Sequence, residues 1–154
     1  MGLDMYLNVK LYIGNSIDKY ANVEFVDDSF DGMKLNYMEF EGAYWRKAKQ
    51  IHKWFVENVQ NDEDDCGNYY LDSGKLDELY NLCNKVIIGK QTLENNSVAM
   101  DLLPCQDGFY FEYDDETNYD EYYYEQIEET IEFIDKLKSN KYYNSFEFTY
   151  NSSW

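Results

Sequence analysis

The chain opens on a strict alternation: Leu3, Met5, Leu7, Val9, Leu11 and Ile13 are apolar, with Asp4, Asn8 and Lys10 between them. A side-chain period of two predicts a β-strand with one face on a core, and it turns Asp4, Tyr6 and Tyr12 outward. Val23–Val26 and Met33–Met38 read as the arms of a hairpin across Asp27-Asp28-Ser29-Phe30-Asp31-Gly32. Tyr37 and Met38 break the alternation, which predicts a bulge there.

From Tyr44 the period becomes helical, with Trp45, Ala48, Ile51, His52, Phe55 and Val59 on the core side. The acidic loop Asn61–Gly67 ends this helix. Asp72 or Ser73 is placed to cap a second helix, whose Leu76, Leu79, Tyr80, Cys83, Val86 and Ile87 share one side. Gly89 should stop it. Ser97–Leu103 predicts a short helix before Pro104, the only proline. Phe109-Tyr110-Phe111 reads as a strand. Tyr124, Ile127, Ile131, Ile134 and Leu137 mark a third long helix, and Phe146, Phe148 and Tyr150 a last strand before Asn151–Trp154. Strands, then helices, then strands predict an α+β fold: a mainly antiparallel sheet with about three helices on it, in one domain over residues 1–154.

Composition decides whether such a chain folds. Against 13 Lys+Arg stand 31 Asp+Glu, a net charge of −18. Leu, Ile, Val and Phe still make up about 23% of the chain, above the ~20% below which highly charged sequences stay disordered. The 17 Tyr, 9 Phe and 3 Trp point the same way. The charge argues against direct contact with nucleic acid or anionic membrane, because phosphate binding needs Lys and Arg. No apolar run approaches the ~18 residues of a membrane span. Met1–Tyr6 has neither the basic nor the apolar region of a secretory signal, and Tyr6 stands where myristoylation wants Ser or Thr. Cys66, Cys83 and Cys105 are odd in number and lack CxxC spacing, so neither a disulfide framework nor a zinc site is implied. The expected setting is a reducing cytoplasm.

The charge is unevenly distributed. Residues 91–135 contain no Lys or Arg and 14 Asp+Glu, interleaved with tyrosines. Such a segment steers basic partners, and tyrosine adds contact area at low entropic cost. The candidate partner-binding residues are therefore Asp114, Asp115, Glu116, Tyr119, Asp120, Glu121 and Tyr122, facing a basic protein. The plainer reading is a solvated acidic face. Conversely, Arg46, Lys47, Lys49 and Lys53 form a basic island, and Arg46 is the only arginine. On a helix, Arg46, Gln50 and Lys53 would share a solvent stripe. That makes Arg46, Lys47, Gln50, Lys53 and Trp54 candidates for binding a small anionic ligand, the indole of Trp54 or Trp45 stacking on a base. The plainer role for Arg46 is an internal salt bridge.

Catalytic signals are weak. His52 is the only histidine and lies on an apolar helix face, where a satisfied core residue is the ordinary outcome. The carboxylates beside Cys66 disfavour a thiolate. Aligning Gly67 with the EF-hand glycine leaves Ser73 where a bidentate Glu is required, so that motif fails. A magnesium site from Asp64, Asp65, Asp120 and Glu121, with His52 as acid–base group, ranks third, as a metal-dependent hydrolase. No catalytic residue, metal or cofactor is assigned.

Several residue words resemble a known family. They are Gly2-Leu3-Asp4-Met5-Tyr6-Leu7, Tyr44-Trp45-Arg46-Lys47-Ala48, Ile51-His52-Lys53-Trp54-Phe55, Asp64-Asp65-Cys66-Gly67 and Ser152-Ser153-Trp154. Leu102-Leu103-Pro104 before Gly108-Phe109, and Tyr119-Asp120-Glu121-Tyr122-Tyr123, fit the same pattern. Together they are similar, from end to end, to an uncharacterised family of small acidic proteins of bacteriophages, prophages and some bacteria. The resemblance implies a phage accessory protein in a bacterial cytoplasm, acting on a host or defence protein.

Overall fold

The computed structural model describes residues 2–13, 35–105 and 119–154. The expected arm Val23–Val26, its turn Asp27–Gly32 and the expected strand Phe109–Phe111 lie outside the described residues. The elements are β1 (Asp4–Tyr12), β2 (Tyr37–Arg46), α1 (Lys49–Asn58), β3 (Tyr69–Leu71), α2 (Ser73–Leu93), α3 (Ser97–Leu102), α4 (Glu121–Lys138) and β4 (Phe146–Ser153). The strands form an antiparallel sheet in the order β2-β1-β4-β3, giving the α+β class that the pattern predicts. No described helix is long and apolar enough to cross a membrane.

The alternation of β1 is borne out in full: Leu3, Met5, Leu7, Val9, Leu11 and Ile13 are all buried. Register then brings the inner residues of three strands together. Met5 lies opposite Trp45 and Ser152, Leu7 opposite Ala43 and Tyr150, and Val9 opposite Phe148. Ile51 and Phe55 of α1, Leu76, Leu79 and Cys83 of α2, and Ile127 and Ile134 of α4 join these residues in one apolar core. Asp72 caps α2 as expected, its Oδ1 accepting the Lys75 N–H at 2.9 Å.

Four local expectations are corrected. The first helix starts at Lys49, not Tyr44, because Tyr44–Arg46 finish β2. Trp45 is buried as a strand residue opposite Met5, and its spacing to Ala48 and Ile51 only imitates a helix. Lys47, at φ 58°, makes the corner, and its N–H donates to the Leu3 carbonyl at 2.8 Å. The bulge falls at Gly42 rather than Tyr37–Met38: Leu7 pairs with Ala43 and Asn8 with Glu41, leaving Gly42 extra. A Cβ at Gly42 would collide with Val9 Cγ2, so glycine is required by close approach. β4 runs on to Ser153, beyond the alternation seen in the sequence.

Gly89 does not stop α2, which continues to Leu93 and ends on Glu94 in the left-handed region at φ 53°. Its role is to admit α3. A Cβ at Gly89 would lie 2.6 Å from Val98 Cβ. Gly89→Ala gains about 1 kcal/mol of helix propensity but overpacks this crossing by roughly 1–3 kcal/mol. We expect a net loss of stability in urea unfolding, and Gly89→Ala with Val98→Ala to be more stable than Gly89→Ala alone. Additive effects of the two changes would refute the contact.

Candidate functional site

The acidic segment resolves into a helix face. Asp114, Asp115 and Glu116 lie outside the described residues. Asp120 caps α4, its Oδ1 accepting the Tyr123 N–H at 2.9 Å. The Tyr119 ring packs against Tyr123 at 5.0 Å between centroids, and its hydroxyl accepts the Cys105 N–H. These two are structural. Glu121 and Tyr122 are exposed, Tyr122 by 50%, and the Tyr122 hydroxyl donates to the Arg46 carbonyl at 3.0 Å.

Beyond them the acidic face continues. Glu121, Glu125, Glu128, Glu132 and Asp135 are all exposed, at helical offsets of 0, 4, 7, 11 and 14, with Glu129 beside them. This places five carboxylates in one stripe about 21 Å long, at 1.5 Å rise per residue. Asp135 interacts with the Tyr80 hydroxyl. No ion pair among the described residues involves Glu121, Glu125, Glu128, Glu129 or Glu132. Like charges three and four residues apart disfavour a helix, so the other face of α4 must hold it. It does: Tyr123, Tyr124, Gln126, Ile127, Thr130 and Ile134 are buried, and the Trp45 indole donates to Thr130 Oγ1 at 2.9 Å. Glu125, Glu128, Glu129 and Glu132 were not among the candidate residues; the helical period applied to the polar positions would have found them.

The candidate anion site is dispersed. Arg46 ends β2 and is not on a helix with Gln50 and Lys53. Gln50 is buried, its Nε2 donating to Gln126 Oε1 at 3.0 Å. Trp54, only 5% exposed, packs edge-on against Phe55, so neither it nor Trp45 offers a free ring. Lys53 pairs with Glu57 at 3.8 Å. The stripe fails because α1 is buried on more sides than one: Gln50, Ile51, His52, Trp54, Phe55 and Val56 are all inside. Arg46 and Lys47 remain exposed at the corner before α1, where Ala48 has no side chain to cap the helix. No carboxylate among the described residues is within 4.0 Å of Arg46, so its expected salt bridge is not seen there.

The carboxylates of the third reading do not converge. No three His, Cys, Asp or Glu side chains among the described residues gather as metal ligands. Asp65 Oδ1 instead accepts the Gly67 N–H at 2.7 Å and the Tyr69 hydroxyl at 3.0 Å. Asp64 belongs to His52. The His52 ring is 0% exposed, with Nε2 3.0 Å from Asp64 Oδ1 and Nδ1 2.7 Å from the Tyr150 hydroxyl. An ionised Asp64 only accepts, so Nε2 bears the hydrogen and Nδ1 accepts from Tyr150. Asp64 Oδ1 also accepts the Trp154 indole N–H at 3.2 Å. His52 is thus a satisfied core residue, as its apolar face implies. Of the thiols, Cys66 is exposed, and burial pushes Cys83 far up, which makes it inert.

No family model matches the chain, and neither a curated protein nor a solved structure is detectably similar to it.

Burial holds the His52 pKa below its usual 6.5, outweighing the opposite pull of Asp64. The unfolded chain therefore binds a proton near pH 6.5 that the folded chain resists. Stability from this group is complete above pH 6.5 and is lost as pH falls toward the lower folded value. Urea midpoints from pH 7.5 to 5.5 should fall more steeply for the natural protein than for His52→Gln; parallel curves would contradict the assignment. Tyr150→Phe leaves Nδ1 without its donor and should cost about 1–3 kcal/mol at pH 7.5.

Proposed function

We propose that this is a phage-encoded acidic interaction protein that covers a basic surface of a host nucleic-acid-binding or anti-phage defence protein. The observation that carries this reading is the stripe Glu121, Glu125, Glu128, Glu132 and Asp135, which forms no ion pair within 4.0 Å among the described residues. With Glu129, six charges over about 21 Å give roughly one per 4 Å, near the 3.4 Å spacing of charge along one DNA strand. A groove that holds a phosphate backbone therefore finds a comparable charge density on a rigid helix. Complementary charge speeds encounter, and Tyr122, half exposed at the head of the stripe, supplies amphipathic contact area. The resemblance to small acidic phage and prophage proteins supports the bacterial cytoplasm as the setting.

A second reading keeps a small anionic ligand, of nucleotide type, on the corner before α1. What favours it is the N-terminus of α1, which no side chain caps, beside exposed Arg46 and Lys47, since helix N-termini attract anions. Gln50 and Trp54 take no part in it.

The two readings separate by mutation. Under the first, the tagged protein retains a basic host protein at low salt and releases it at high salt. Glu125→Lys with Glu128→Lys and Glu132→Lys abolishes capture, while Arg46→Ala leaves it intact and costs no more than about 1 kcal/mol of stability. Under the second, nucleotides raise the Tm of the natural protein, and both Arg46→Ala and Arg46→Lys remove that shift, an ammonium lacking the planar fork. Capture that survives the triple charge reversal would sink the first reading.

A further inference from the structure

The hydrogen-bonded chain through His52 joins four parts of the molecule. His52 comes from α1, Tyr150 from β4, Asp64 from the loop between α1 and β3, and Trp154 from the end of the chain. One oxygen, Asp64 Oδ1, takes both the imidazole N–H and the indole N–H. We propose that this chain is a proton-operated latch: neutral His52 fastens Asp64 and the loop around it to α1, and protonation of His52 releases them.

The argument begins with hydrogen-bond roles. In the neutral form every group has one assignment, with Tyr150 donating to Nδ1 and Nε2 donating to Asp64. A proton added at Nδ1 makes the Tyr150 hydroxyl turn its hydrogen away, toward Ser152, and leaves a charged ring 0% exposed. The Tyr150 ring cannot withdraw, because it is fully buried and stacked on Phe55 at 3.8 Å between centroids. Facing the imidazole are Tyr150, with Ser152 beside its hydroxyl, from β4 and Asp64 from the loop. Asp64 is the one charged group acting on it among the described residues. Burial nonetheless outweighs that carboxylate and holds the ring below its usual pKa.

A buried imidazolium must then gain water, and the route depends on what moves most easily. α1 and β4 are core elements, whereas the loop is a surface segment whose Asp64 side chain is 27% exposed. The Asp62 N–H ties the start of the loop to the Val56 carbonyl of α1 at 3.0 Å, but past it the bond from β4, Ser152 Oγ to the Asp65 carbonyl, is long at 3.4 Å. Local opening of such a segment needs far less than global unfolding. Opening the loop hydrates His52 and breaks the Trp154 indole bond to Asp64 in one movement.

Amide exchange of the full chain, corrected for the intrinsic rate, tests this. Between pH 6.5 and 5.5, exchange of residues 63–67 should rise by up to about fivefold, the limit set by proton uptake of a group with an open-state pKa of 6.5. Exchange in β1 and α2 should stay unchanged. The rise should vanish in His52→Gln, whose amide can still donate to Asp64. If that variant does not fold, the ring titration of the natural protein decides by nuclear magnetic resonance. A His52 pKa below 6.5, with the loop amides titrating in step, supports the latch. A ring pKa at or above 6.5, or no inflection in the loop amides, overturns it: the closed form would then hold the proton, Tyr150 turning its hydrogen to Ser152.

Discussion

The inner face of β1 is buried at every alternate position from Leu3 to Ile13, and the rest of the molecule is assembled on it. Each of these side chains is worth roughly 1.5–3 kcal/mol when taken fully from water. That contribution matters in a chain of net charge −18, where self-repulsion favours expansion at every exposed surface. β1 lies between β2 and β4 in the sheet and sets the register of both. Through β2 it places Trp45 under α4, and through β4 it places Tyr150 under α1. The acidic stripe on α4 and the histidine network therefore rest on the same strand.

What was legible in the sequence is what local periodicity controls. β1 could be read because its alternation is unbroken, and α2 and α4 because their apolar positions repeat over several turns. What was not legible depends on partners far away in the chain. Trp45 looks helical until β1 is known to lie opposite it. Gly42 becomes a bulge only because Val9 occupies the space its side chain would need. Gly89 resembles a helix stop, yet it is an interior position reserved for Val98. Gln50 and Trp54 look exposed on a helical projection and are inside, because Gln126 and Phe55 meet them there. The three-residue strand β3 is too short to carry a period.

The candidate sites divide the same way. A lone histidine on an apolar face was correctly read as core, but its partners Asp64 and Tyr150 are 12 and 98 positions away, and Trp154, which bonds Asp64, is 102 away, so they could not be paired in advance. The acidic segment was located, yet its composition could not separate Asp120, spent on a helix cap, from Glu125 and Glu128, which face solvent. Charge runs look uniform in sequence. Helix geometry sorts them into caps, buried faces and stripes.

That sorting also explains why the residue words singled out in the sequence say so little about activity. Asp4 lies opposite Arg46 and Ser153, and Met5 opposite Trp45 and Ser152, so three of the words meet across one end of the sheet. The Arg46 carbonyl accepts from Tyr122 and Gln126, and the Leu103 carbonyl accepts from Tyr123, which brings in two more. His52, Asp64 and Trp154 close the set. These residues build the joint where both ends of the described chain, the corner before α1 and the head of α4 are fastened. A joint of this kind demands particular polar and aromatic side chains at particular positions, since each buried donor must find one acceptor. The carboxylates along α4 face a weaker demand, exposure and charge alone, and so leave no word to recognise. The surface best suited to a basic partner is thus the part of the chain with the least distinctive sequence.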